Sequence, residues 1–86
     1  MYAVVVHVTV DDRETAARAL NSQVVPRASQ ARGFVGGYWV ALPNGKGVSV
    51  VVFDSQDAAR TMAEQAQPPT GVSFDSVEVG EVVASA

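Results

Sequence analysis

The chain has 86 residues, six basic and nine acidic side chains and a formal net charge of −3, which bounds it to one small domain, residues 1–86. It has no cysteine and a single histidine, His7, so disulfides, thiolate metal sites and a multi-histidine centre within one chain are excluded, and no metal or cofactor is expected. Neither charge sign clusters, so the basic surface that phosphate backbones or anionic lipid require is missing and neither nucleic acid nor membrane is an expected partner.

Tyr2–Val10 reads as a strand, because a valine-rich run suits a pleated surface. Its apolar character is not that of a signal peptide, since no basic start precedes it. No apolar run approaches the roughly 20 residues of a membrane helix, so a cytoplasmic protein is expected. Asp11–Arg32 reads as helical. Asp11 with Glu14 resembles a capping box, and Ala16, Ala17, Leu20 and Val24 share a face. Pro26 predicts a first helix ending near Val24, then a short helical turn over Pro26–Ala31, with Gly33 as a left-handed stop.

Phe34–Leu42 is the second expected strand. Strict alternation puts Phe34, Gly36, Tyr38, Val40 and Leu42 on one face and Val35, Gly37, Trp39 and Ala41 on the other. Gly36-Gly37 signals a bulge or a close backbone approach. Pro43–Gly47 carries Asn44-Gly45, a strong hairpin signal. Val48–Phe53 is the third strand, Asp54 or Ser55 caps a second helix with an alanine-rich stripe, and Pro68-Pro69 ends it. Val72–Val83 holds the last strand or a pair of strand segments, with Gly80 as the candidate kink.

The order βαββαβ predicts an α+β, ferredoxin-like protomer: a four-stranded antiparallel sheet with both helices on one face. The other face is then bare, yet the first three strands carry few charges and are apolar on both parities. A large apolar patch marks an interface or a ligand groove. A second copy packed face to face is the simplest cover, so a homodimer through the sheet face is expected.

Gly33-Phe34, Gly36-Gly37, Tyr38-Trp39, Asn44-Gly45, Val51–Ser55 and Ala58-Ala59-Arg60, in that order, resemble the antibiotic-biosynthesis-monooxygenase-like domains of the dimeric α+β barrel superfamily. The resemblance implies a homodimer whose two sheets form a barrel. It also implies one of three roles: cofactor-independent oxygenation of aromatic polyketide-type substrates, haem degradation, or no known activity. Oxygenases of this kind place Trp, Tyr, Asn, His and Arg in a cleft between sheet and helices. Haem degradation is disfavoured here, because the first strand has no Asn and neither helix has a His.

His7, Tyr38, Trp39 and Phe53 are the candidate ligand-binding residues, and His7 is the one candidate catalytic base. A histidine titrates near working pH, so His7 either takes a proton from a substrate or sits hydrogen-bonded in an interface. Tyr38 and Trp39 point to opposite faces, each stacking on a flat ligand or packing in a core. Arg32–Gly36 starts like an RNA-recognition signature, but Val35-Gly36 breaks it. No serine sits in a glycine elbow, so no hydrolytic triad is expected. Three functions remain open: a homodimeric module binding a small apolar or aromatic molecule, a cofactor-independent oxygenase, and a pure assembly module.

Overall fold

A computed structural model describes residues 1–86. The elements are β1 (Tyr2–Val10), α1 (Arg13–Ala19), a π-helical turn (Leu20–Val24), α2 (Val25–Ser29), β2 (Phe34–Leu42), β3 (Lys46–Phe53), α3 (Gln56–Gln65) and β4 (Val72–Glu81). The strands make one four-stranded antiparallel sheet in the order β2-β3-β1-β4. This is the α+β arrangement expected from the element order and is compatible with a ferredoxin-like domain.

Both helices pack on one face. Val4 and Val6 of β1 and Val51 and Phe53 of β3 meet Ala28 of α2 and Ala59 of α3 in a buried cluster. Alanine on each helix lets it approach the sheet closely. Phe53, fully buried, is the anchor. Phe34 meets its ring edge-on, with centroids 6.3 Å apart, an arrangement that aromatic quadrupoles favour.

Several boundaries depart from the sequence reading, each for a local reason. The first helix does not stop at Val24. Its backbone stays right-handed helical through Val25, and one turn widens so that the Val25 N–H donates to Leu20 O, five residues back. Pro26 has no N–H, and in a regular α-turn its ring crowds the carbonyl four residues earlier. A wider turn ahead of it relieves that crowding. The Asn21 amide donates to Ala17 O at 3.0 Å and the Ser22 hydroxyl to Arg18 O at 2.7 Å, so side chains serve the loosened carbonyls. The N-cap is Asp12, not Asp11: its carboxylate accepts from the Thr15 N–H at 3.1 Å. Of the two cap candidates for α3, Ser55 is the one used: its hydroxyl accepts from the Ala58 N–H, as the sequence allowed.

The register of β2 shifts between Phe34 and Gly36. Val35 is the extra residue, so Phe34 joins the face of Gly37 and Trp39 instead of that of Gly36 and Tyr38. The hairpin forms as expected, with φ of +64° at Asn44 and +71° at Gly45, and β3 begins at Lys46. Gly33 has φ +82°, and a Cβ there would lie 2.6 Å from an Asp54 carboxylate oxygen; only glycine fits that helix-to-strand turn.

Candidate functional site

The two helices cover the sheet unequally. α3 lies along β1, β3 and β4, whereas the first helix comes down onto the sheet chiefly where α2 meets β2. Under α1 and the π turn a cavity of about 880 Å³ opens between helix and sheet. Small-molecule sites fall between roughly 300 and 1,000 Å³, so the space is of ligand size.

Its floor is Val6 and Val8 of β1, Trp39 of β2 and Ser49 of β3; its roof is Ala16, Leu20 and Val24; Met62 and Phe74 close one side. The π turn thus supplies two of the roof residues. Trp39 is half-buried, and its indole lies over Gly37: a Cβ at Gly37 would sit 3.2 Å from Cη2 and 3.3 Å from Cζ3. Glycine at 37 leaves room for that edge of the ring. Ser49 is the Cα partner of Trp39 across the β2–β3 ladder and puts a hydroxyl beside the ring position. The remaining polar lining comes from Arg13, Arg27, Gln30, Gln65 and Gln67. The site is therefore an apolar slot with cationic and amide groups at its rim.

The opposite face of the sheet is uncovered. Val5, Val48, Val50 and Val52 are half-buried there, while Val40, Leu42 and Tyr38 are exposed, Tyr38 by 75%. Polar groups occupy one end, where the Lys46 ammonium donates to Thr9 Oγ1 at 2.8 Å and the Thr9 hydroxyl to Asp75 Oδ2 at 2.8 Å, and the β4 edge, where Glu78 is the ladder partner of Val5 and Ser76 of His7. His7 is exposed on this face, its Nδ1 3.2 Å from Ser76 Oγ.

The four candidate ligand-binding residues are divided between the faces, with Tyr38 and Trp39 on opposite sides as alternation along β2 requires. Trp39 lines the cavity. Phe53 is in the core beneath α2 and α3. Tyr38 and His7 lie on the far side of the sheet, so within one protomer neither reaches a molecule in the cavity. The arginines, the glutamines, Ser49 and the π turn escaped the sequence reading. A signal for the arginines was present: Arg13, Ala16, Leu20, Val24, Arg27 and Ala31 fall on one stripe at three- and four-residue spacing, so a cation stands within each end of an apolar stripe.

No three His, Cys, Asp or Glu side chains come together as metal ligands would. No helix is long and apolar enough to cross a membrane. No family model matches the chain, and no curated protein matches it significantly.

Proposed function

We propose that this chain is a cytoplasmic, homodimeric α+β barrel protein that binds a small, flat, apolar or aromatic molecule between helix and sheet. The observation that carries the binding reading is the cavity of about 880 Å³ with Trp39, the sole tryptophan, among its lining residues. Gly37, Ala41, Gly47 and Ser49 keep the sheet thin there, and a side chain on any of the glycines would cut into the space or its walls.

The dimer reading rests on the uncovered face. Only 10 of the 86 residues are buried, a thin core even for a small domain. An identical sheet packed on Val5, Val48, Val50, Val52 and Tyr38 would bury apolar surface worth tens of kcal/mol gross at about 25 cal/mol per Å² before association costs. His7 and Tyr38 would then face the partner's sheet inside the barrel.

A second reading is cofactor-independent oxygenation of an anthrone-type substrate, in which one atom of dioxygen becomes the carbonyl oxygen at a ring CH2 and the other leaves as water with the two hydrogens. The location of the cavity favours it: an aromatic and two arginines lie in the helix–sheet cleft that the family resemblance implies for oxygenases. His7 is outside that cleft, so the base for such a substrate would have to be another group or the solvent.

Trp39 is the sole tryptophan, so its fluorescence reports the cavity without labelling. Anthracenemethanol, a neutral flat probe, should quench it saturably. Ser49→Phe, which fills the floor beside Trp39, should weaken that binding at least about tenfold, the loss of one good apolar contact area. Unsaturable quenching, or equal affinity in the filled variant, would remove the cavity from consideration.

A further inference from the structure

We infer that the natural ligand of this cavity is an apolar carboxylate, with its head group held by Arg27 and Gln30 and its body against Trp39 and the π turn; the inference rests on the cavity being a binding site. The protein is acidic overall, with nine acidic and six basic side chains. Yet the cavity wall contains no Asp or Glu, and its charged residues are Arg13 and Arg27. A wall that reverses the sign of the whole molecule attracts an anion.

Both arginines lack an acidic partner. The ion pairs of the protein are Arg18 with Glu14 and Lys46 with Asp75. No side-chain hydrogen bond engages Arg27 or Gln30 either. Both are solvent-exposed yet in line with the apolar stripe of the first helix, which places their charged heads at the mouth of the cavity.

The two are not equivalent. Arg13 is flanked by Asp11, Asp12 and Glu14, which lower the potential around it. Arg27 has Gln23, Val24, Gln30 and Ala31 as its helical neighbours, and no acidic residue occurs between Glu14 and Asp54. Its planar guanidinium matches a carboxylate with two parallel hydrogen bonds. The Gln30 amide, lining the same cavity, supplies a further donor. The apolar slot beyond, roofed by Leu20 and Val24, accepts the hydrocarbon or ring body.

Anthracenecarboxylate and anthracenemethanol share one apolar body and differ in charge. Titrated against Trp39 fluorescence, the acid should bind about tenfold or more tightly than the alcohol, the range for a hydrogen bond to a charged group in a partly wet site. Arg27→Gln should bring the two to similar affinity by weakening the acid alone. Arg60→Gln, which removes an equal charge outside the cavity, should leave the preference intact. Equal binding of acid and alcohol to the unsubstituted protein overturns the inference while the cavity reading stands. So does an equal loss for both probes in Arg27→Gln, or a loss in Arg60→Gln as large as in Arg27→Gln. If neither probe quenches Trp39 saturably, the cavity reading and this inference fall together.

Discussion

Tyr38→Ala tests the proposed dimer at the position where the structure makes the effect largest. Tyr38 is 75% exposed, in the middle row of the bare face, with Val50 as its ladder partner. An aromatic side chain buries about 150–250 Å² when covered, so a second sheet would remove roughly 150 Å² of this residue from water. At about 25 cal/mol per Å² that is ~4 kcal/mol gross per protomer, counted twice in a symmetric dimer. Truncations of buried interface aromatics cost about 2 kcal/mol or more each, which sets a lower expectation of ~4 kcal/mol per dimer. The dimer Kd should then weaken by about a thousandfold.

The protomer should not notice. A side chain three-quarters exposed contributes little to the fold of its own chain, and such surface substitutions stay within about 0.5 kcal/mol. Sedimentation velocity over a dilution series measures the Kd, and far-ultraviolet circular dichroism checks the fold. A folded Tyr38→Ala protein that self-associates as tightly as the parent would refute the sheet-face interface. A parent that sediments as a lone protomer at micromolar concentration would refute the dimer itself.

Two further predictions concern the fold that holds the site. Phe53→Ala should cost about 3–5 kcal/mol, the range for emptying a fully buried phenylalanine site, against a total of about 5–15 kcal/mol for a native domain; a urea midpoint that barely moves would show that the cluster around Phe53 is not the anchor. The carboxyl of Asp12 is held below the ordinary aspartate value because it accepts the Thr15 N–H and then the Thr15 hydroxyl. A pKa depressed on folding stabilises the native state above the unfolded-state value, and the contribution disappears as pH falls through the folded one. The gap in Tm between the parent and Asp12→Ala should therefore be widest at neutral pH and close as the medium becomes more acidic than the usual carboxylate range; a constant gap would contradict the cap.

The strands were readable because β1 and β3 are runs of valine and because Asn44-Gly45 forces the chain back on itself. What the sequence left open was which side of each strand faces the helices. Val48, Val50 and Val52 are as apolar as Val51 and Phe53, so alternation cannot assign the faces of β3; only the helices docking on Phe53 do so. Alternation separates Tyr38 from Trp39 correctly, but which of the two faces the helices follows only from that docking. Gly36-Gly37 announced an irregularity in β2 but not its position, and the bulge at Val35 is what turns Phe34 inward. Pro26 read as a break because local preference says so. Ala28, packed against Phe53 beyond the proline, holds the helix on course, and the chain absorbs the misfit as a π turn.

The cavity, unlike the π turn, originates in side-chain size. Where Ala28 meets Phe53, a small helix residue and a large strand residue fill the gap between layers. Toward the other end of the first helix both layers are small: Ala16 and Ala17 above, Ala41, Gly47 and Ser49 below. Leu20 and Val24 of the roof and Trp39 of the floor line the space without filling it. Empty volume of this kind lowers stability, because its lining forfeits dispersion contacts. A sequence shaped only by stability would place a larger residue at position 49, and filled voids commonly add about 0.5–2 kcal/mol. If the space is kept for a ligand, Ser49→Phe should raise Tm while it weakens probe binding at least about tenfold. If Tm falls instead, position 49 is already tightly packed, and the cavity is narrower than its walls imply.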